Sequence, residues 1–399
     1  MTALPEEVEV LIVGAGPAGL AAAAELAPHH GVLVLDREAA PGGIPRHCGH
    51  SPFGMREFHR VLTGAAYARR LAARAEAAGA RIATRVTVTA LHPGGCVDVT
   101  SDAGPRQIRA KRVLLATGVR ESSRAQRMIG GEKPGGILPT GALQGMVHLD
   151  GLVPFRRPVI YGTELVALSA VLTCLGHGIR PVAVIEPGPR QTVRFPFSLF
   201  LRLCRPLFPL MLGTSIRAIE GRERVERVVL DSGQVLDCDG MVLTGAFRPE
   251  AALLAASHLA RDPRTGGPVI DSAGRLSDPA YYAAGNLLRP VETAGWSWAE
   301  GCRVAAAIRA DLAGNPAGPA HPVTLRGEAL AWVVPQAVAQ GGAHRVLQLR
   351  VNRPVRGRLR LLADGAEIAS RRIDTRPERR ITLPIPPVPG PFELVLEET

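Results

Sequence analysis

Short apolar runs alternate with alanine-rich, helix-forming stretches along the first three quarters of the chain, an order that predicts parallel strands joined by helices. The run VLIVGAGPAGLAAAAEL (10–26) opens the pattern, and a second apolar run closes on Asp36. RIATRVTVTAL (81–91) predicts a further strand. GCVDVTSDAGPRQIRAKRV predicts a β meander, leading into VLLATG, an apolar strand that ends at Thr117 and Gly118. From 157 the pattern restarts with PVIYG, a helical TELVALSAVLTCLGHG and PVAVIE. It closes with GMVLTGAFRP (240–249), an echo of VLLATGVR (113–120). Residues 278–290 (DPAYYAAGNLLRP) and a helix over 293–314 then return to the first unit. The reading is doubly wound α/β with one nucleotide-binding unit, 1–150 and 253–318, interrupted by another at 151–252.

After a Pro/Gly-rich linker at 313–322 the period changes to two. RVLQLRV, RGRLRLLAD, AEIASRR and ERRITLPI read as short strands, with a turn at Ala363-Asp364-Gly365. Residues 319–399 therefore predict a small all-β, sandwich-like module with no evident catalytic cluster.

The glycines of the first turn carry chemistry. Gly14 permits the tight turn, Gly16 lets a pyrophosphate approach the backbone, and Gly19 lets helix pack on strand. The helix N-terminus offers free amides and the positive end of its dipole to that anion. Asp36 stands where a carboxylate accepts from a ribose hydroxyl. Strand, turn, helix, second strand and acid together predict a dinucleotide site.

Composition changes little. The net charge of +11 comes almost wholly from scattered arginine, with Lys111 and Lys133 the only lysines, so it reads as a basic surface and not as a nucleic-acid footprint. Six cysteines at 48, 96, 174, 204, 238 and 302 form no CxxC, which excludes a local redox disulfide or a cluster ligated by this chain alone. Five of them (all but Cys48) read as small buried hydrophobes. Free thiols and an acidic N-terminus running straight into a strand predict a cytoplasmic protein without a signal peptide. FPFSLFLRLCRPLFPLMLG (195–213) is very apolar, but Arg202, Arg205 and three prolines make it a poor membrane span. Burial against a partner or the chain's own core is the first reading, and peripheral membrane contact the second.

GAGPAG with Asp36, the LLATG and LTGAFRP turns and Ala283-Ala284-Gly285-Asn286 resemble the two-dinucleotide-domain flavoproteins of the pyridine nucleotide-disulfide oxidoreductase superfamily over about 5–315. The resemblance implies that the first unit is an FAD-binding, Rossmann-like domain and the inserted one NAD-type. It implies that Gly14, Gly16 and Gly19 line the pyrophosphate and Asp36 takes the adenosine ribose. Val86 would meet adenine through its backbone, Thr117 and Gly118 flank the nucleotide, and Gly285 and Asn286 touch the flavin side. Pro17, Ala18, Arg37 and Gly43 complete the implied cofactor-binding set. Asn286 replaces the usual aspartate, keeping an acceptor and adding a donor.

Two departures bear on function. The cysteine pair of the disulfide reductases is missing. PGGIPRHCGHSPFGMREFHRVLTGAAYARRL (41–71) is instead similar to flavin subunits that accompany a glycerol-3-phosphate-dehydrogenase-like partner, and to those of opine, amino-acid and cyanide-forming dehydrogenases. Second, GTELVA (162–167) stands where a nicotinamide fold wants GxGxxG. Glu164 sets a carboxylate where a pyrophosphate belongs; like charges about 4 Å apart repel by roughly 4 kcal/mol at an effective dielectric near 20. NAD(P) binding is therefore doubtful, although Glu186 keeps the ribose position. The expectation is an FAD-dependent oxidoreductase, the electron-transfer subunit of a small-molecule dehydrogenase with a second dehydrogenase-type subunit. The alternatives are a stand-alone NAD(P)H:acceptor reductase and a non-catalytic flavin-binding scaffold.

His47, Cys48, His50 and His59 gather near the expected flavin loop, in a spacing that matches no zinc pattern, so no metal site is expected. Cys48 and His50 are the catalytic candidates, for proton transfer or electron gating beside the flavin, with loop packing as the alternative. Trp296 and Trp298 read as core or flavin-edge packing, and Arg46 and Arg289 as candidate partners of a phosphate or carboxylate.

Overall fold

The computed structural model describes residues 4–204, 206–385 and 390–399. The opening apolar run forms the strand Glu7–Val13, which lies parallel between Val32–Asp36 and Gly104–Leu115. Arg81–Thr84 and Tyr281–Ala283 add further parallel strands to this sheet. Val10, Leu11 and Ile12 are fully buried because both faces of the sheet are covered, which is why the run reads as continuously apolar. The helix Pro17–Leu26 packs with the helix Ala294–Leu312 on one face, around Leu20, Leu26, Tyr67, Val304 and Ile308. The opposite face buries Val97, Ile108, Leu254 and Tyr281. The single strand expected over 81–91 is two: Arg85 takes a left-handed φ of 58°, and Thr87–His92 turns away to pair antiparallel with Cys96–Ser101.

The second unit repeats this plan. Pro158–Tyr161 lies parallel between Ala183–Glu186 and Gly240–Leu243, and Leu210–Leu212 and Ile137–Pro139 are its edges. A smaller antiparallel sheet, Ile216–Glu220, Arg227–Leu230 and Val235–Asp237, stands where the first unit has its meander. The two units are joined by an antiparallel pair, Val119–Glu121 with Phe247–Pro249. The second unit thus takes up chain well before residue 151. Ile137–Pro139 belongs to its sheet, and the helix Thr140–His148 packs Leu143 and Val147 into its core. A three-residue strand carries no readable period, so sequence pattern places this boundary late.

Within the apolar run 195–213, Phe197–Leu203 is a short helix and Leu210–Leu212 a strand. Leu201, Cys204 and Phe208 are buried, but Phe195 is 80% exposed, Leu203 68% and Leu207 64%, so the run is only partly taken into the chain's own core. Arg205 lies outside the described residues. No helix among the described residues is long and apolar enough to cross a membrane.

The C-terminal residues form two packed sheets. Ala337–Ala339, Ala320–Arg326, Phe392–Glu398, Val355–Ala363 and Ala366–Thr375 make one, and Leu330–Val334, Val346–Val351 and Ile381–Pro384 the other. Leu347, Leu359, Leu361 and Leu394 are fully buried between them. Trp332 and Val334 leave that core and join the core of the first unit, which docks the module there.

Candidate nucleotide and flavin site

The first glycine turn is built by close approach. Gly14 holds φ at 108°, and a Cβ there would stand 2.5 Å from the Ala116 carbonyl oxygen. A Cβ on Gly19 would stand 1.9 Å from the Gly14 oxygen, so helix and strand meet only through glycine. Gly16 differs: nothing lies within 4 Å of its Cβ position, and as N-cap of the helix Pro17–Leu26 it offers no side chain to the free amides. Pro17 occupies the first helical turn, where a missing N–H costs nothing. Asp36 accepts from Ala15 N at 2.7 Å and from Glu38 N at 2.8 Å, tying the acid at the second strand's end to the glycine turn. Gly42 N donates to the Ala15 oxygen at 2.7 Å, and Gly43, at φ 59°, would set a Cβ 2.9 Å from the Gly16 Cα. This brings the 41–43 turn over the loop.

The remaining expected residues arrive from distant chain. Val86 N donates to the Asp36 carbonyl at 3.0 Å. Thr117 Oγ1 donates to the Glu250 carbonyl at 2.8 Å, and the Cβ position of Gly118 is open. Gly285, at φ 78°, lies against Ala18, and its N–H donates to Glu300 at 2.9 Å. Asn286 turns both ends of its amide onto the Glu292 backbone, at 2.8 and 2.9 Å, and so staples the 286–292 loop. Arg37 is 63% exposed at its side chain, 3.9 Å from Glu250.

The flavin-loop candidates pack inward. Cys48 is buried, its Sγ 3.6 Å from Gln144 Oε1 and from the Ile44 carbonyl, and burial pushes the thiol up to about 12. It stays protonated at neutral pH. His50 rests against Phe53 with ring centroids 5.4 Å apart and places Nδ1 3.3 Å from the Ser51 carbonyl. Burial holds the His47 imidazole below its usual value. Arg46 pairs with Glu38 at 3.2 Å. Arg289 is buried against Glu300 at 2.8 Å, so an internal carboxylate takes the role an external anion was expected to fill. Trp296 is half-buried with Arg56 and Arg380 each 3.8 Å from its ring centre, neither core nor bare edge.

The second unit reproduces the frame and fills the gap. Gly162 holds φ at 130° as Gly14 does, and Glu186 accepts from Gly188 N at 3.0 Å as Asp36 does from Glu38. Glu186 also accepts from Thr163 Oγ1 and from Thr192 Oγ1. Glu164 folds its carboxylate across the turn: a Cβ on Gly245 would stand 2.0 Å from Glu164 Oε1, and that oxygen is buried without a hydrogen-bond partner. Burial pushes the Glu164 carboxyl up. A third carboxylate joins it. Glu121, on the linking strand, accepts from Gly141 N at 2.8 Å and Gly245 N at 3.1 Å, and burial raises it to about 7.

The sequence pattern of the pyridine nucleotide-disulphide oxidoreductase family matches residues 8–301. The chain belongs to that family. It is accordingly an FAD-dependent oxidoreductase with two nucleotide-binding units. An opine oxidase subunit of Rhizobium meliloti is 27% identical over 71% of this chain and 59% of its own length; its counterpart in Agrobacterium tumefaciens (strain Ach5) is 26% identical over 71% and 62%. The chain thus spans about three fifths of these curated relatives, and 38% of a further Rhizobium meliloti (strain 1021) relative. Thioredoxin reductase of T. acidophilum shares the fold with a TM-score of 0.65 at 22% identity, over 77% of this chain and all of that one. L-proline dehydrogenase of P. horikoshii does so at 0.60 and 21%, over 77% and 56%.

The residues present fit FAD. The Cβ positions of Gly16 and Gly118 are both open, as close approach of a pyrophosphate to the backbone requires, and Ser297 Oγ, beside Gly285, is buried without a partner. Sequence reading missed Glu121, Ser297 and Glu300. Glu121 reaches Gly245 from far along the chain, Ser297 and Glu300 meet Gly285 from the helix just beyond it, and none stands in a motif.

Proposed function

We propose that this chain is the FAD-bearing electron-transfer subunit of a multi-subunit dehydrogenase for a small molecule of the opine, amino-acid or glycerol-3-phosphate class. The observation that carries the reading is the Glu164 carboxylate lying in the second unit's gap while the first unit's gap is open. A dinucleotide pyrophosphate brought there meets the Glu164 side chain already filling the turn against Gly162 and Gly245, and this opposes NAD(P)H as the electron donor. FAD, when bound, supplies the two-electron redox chemistry. In the first unit, the amides following Gly16 bind the pyrophosphate, Asp36 accepts from the adenosine ribose, and Thr117, Gly118 and Gly285 bound the nucleotide. Cys48, protonated and with no second cysteine in its loop, offers no dithiol route. The two relatives named as subunits of an opine oxidase add support for a partner chain. The partner's pocket then holds the substrate.

Stopped-flow mixing of the yellow protein with NADH and NADPH tests this, beside the same experiment with the partner co-purified from the host and supplied with candidate amino acids and opines. The expected result is a flavin that stays oxidised with nicotinamides and bleaches with one small-molecule donor only when the partner is present. Rapid, saturable bleaching by NADH or NADPH would overturn the reading in favour of a stand-alone reductase. A flavin that resists every donor, partner included, would leave only the scaffold.

A further inference from the structure

A basic site lies where the C-terminal module meets the second unit. Arg194 from the second unit and Arg371, Arg372, Arg379 and Arg380 from the module line a cavity of about 210 Å³. Among the described residues Asp374 is the only carboxylate in its lining, and Arg356 already engages it at 2.9 Å. The arginines are poorly served. Arg379 Nε is buried with no hydrogen-bond partner. Among the described residues Arg371 reaches only the Thr382 carbonyl, at 3.4 Å, and Arg380 reaches Glu292 at 3.4 Å while stacking on Trp296. Among the described residues, Arg194, Arg372 and Arg379 have no ion pair.

Five guanidinium groups around one small cavity repel one another unless an anion enters. Each is a planar fork suited to paired oxygens, and a group with two charges and several acceptor oxygens satisfies more of them than a carboxylate does. From this geometry we infer a phosphate-binding site: the cavity takes the phosphate group of a phosphorylated ligand. Two sources share that chemistry. One is a free phosphorylated small molecule. The other is the headgroup of an anionic lipid, since the exposed Phe195 follows Arg194 directly and the exposed Phe197 comes two residues later. Either would join Arg194 to the 371–380 arm and so hold the module against the second unit. The inference uses no part of the flavin or subunit readings.

Calorimetry on the full FAD-loaded chain, at constant ionic strength, titrates inorganic phosphate and pyrophosphate; the bound FAD already fills the other pyrophosphate site. Sedimentation with phosphatidylglycerol vesicles, against phosphatidylcholine, forms the second arm. The expected result is saturable binding that weakens about tenfold or more in the double variant Arg372→Gln, Arg379→Gln. The charge-matched variant Arg106→Gln, Arg222→Gln, at exposed positions elsewhere, binds as the parent does. Should the double variant lose flavin or melt early, Arg372→Gln alone makes the same comparison, because that exposed side chain holds nothing else in place. Binding of phosphate or pyrophosphate assigns a free ligand. Vesicle binding that these ions do not reproduce, and that the variant loses, assigns a lipid. Absence of saturable binding in both arms, or equal loss in the charge-matched control, overturns the inference.

Discussion

The two nucleotide units share a frame and differ at one gap. Each has a left-handed glycine at the first turn, Gly14 and Gly162, and an acid at the end of the second strand that accepts from the backbone two residues on, Asp36 and Glu186. Each has a Thr-Gly turn facing the first, Thr117-Gly118 and Thr244-Gly245. The Cβ directions of Gly16 and Gly118 open onto empty space, whereas that of Gly245 runs into Glu164. The frame is kept because it is made of close backbone approaches and buried hydrogen bonds, which the fold itself requires. A ligand site carries no such constraint, and one side chain suffices to close it.

The strongest break of this comparison copies the second unit into the first. Gly16→Glu meets no steric obstacle, since nothing lies within 4 Å of its Cβ position. It nevertheless sets a charge beside the pyrophosphate, at a cost of about 4 kcal/mol or a thousandfold in affinity. The variant is expected to purify folded but colourless, read from the ratio of flavin to protein absorbance. A fully yellow Gly16→Glu protein would mean that Glu164 closes nothing.

Next in size is a pH effect confined to the second unit. Glu121 rises from 4.5 to about 7 because it is buried, so between those values the folded chain holds a proton that the unfolded chain releases. Stability is therefore highest below the lower value and is lost as pH rises through about 7, by about 3 kcal/mol at most. Denaturant titrations at pH 5 and 8 should show this fall, and Glu121→Gln, which fixes the uncharged form, should flatten it. An unchanged slope in the variant would move the titration elsewhere. His344 acts in the opposite sense in the lower range: burial holds it near about 4, so stability falls as pH drops below 6.5.

How much of this was legible follows from what each feature is made of. GAGPAG, Asp36 and the two Thr-Gly turns are local patterns with a backbone reason, and they stand in the text of the chain. Glu164 was legible as well, because it replaces a glycine whose purpose is known. Glu121 was not: it lies 43 residues before Glu164, on a three-residue strand whose pairing with Phe247–Pro249 brings it to Gly245. Nor was the arginine cavity, which joins Arg194 to a strand and the crossing that follows it nearly two hundred residues on. Cys48 and His50 were legible by residue type alone. Their types suggest chemistry, while their neighbours Gln144 and Phe53 are set by the packing, which the sequence pattern does not show.

Opening the second gap sharpens the comparison further. Glu164→Gly removes a buried carboxylate oxygen that has no partner and restores the glycine pattern. Thermal stability should hold or rise, because the lost burial cost of about 1–3 kcal/mol offsets the added backbone freedom of about 1 kcal/mol. NADH-driven reduction of the flavin should increase about tenfold over the parent. The gain is modest because burial already favours the uncharged Glu164, and Glu121 and Glu186 remain near the site. A stopped-flow rate unchanged from the parent would place the obstacle outside Glu164.

The smallest effect separates the two acids. Asp36→Asn and Glu186→Gln each replace one acceptor oxygen by a donor, so each leaves one partner unmet: Ala15 N or Glu38 N in the first unit, Thr163, Thr192 or Gly188 in the second. Both variants should lose about 1–2 kcal/mol of stability, because the structural role of the acid is the same in the two frames. Only Asp36→Asn should also weaken flavin binding, by several-fold to about tenfold, because the proposed function gives Asp36 an adenosine ribose to accept from, whereas Glu186 already accepts from two threonine hydroxyls. Paired measurements of melting temperature and flavin dissociation decide it. If both variants lost flavin equally, the effect would be transmitted through the fold and not through a direct contact, and Asp36 would be a positioning residue like its counterpart.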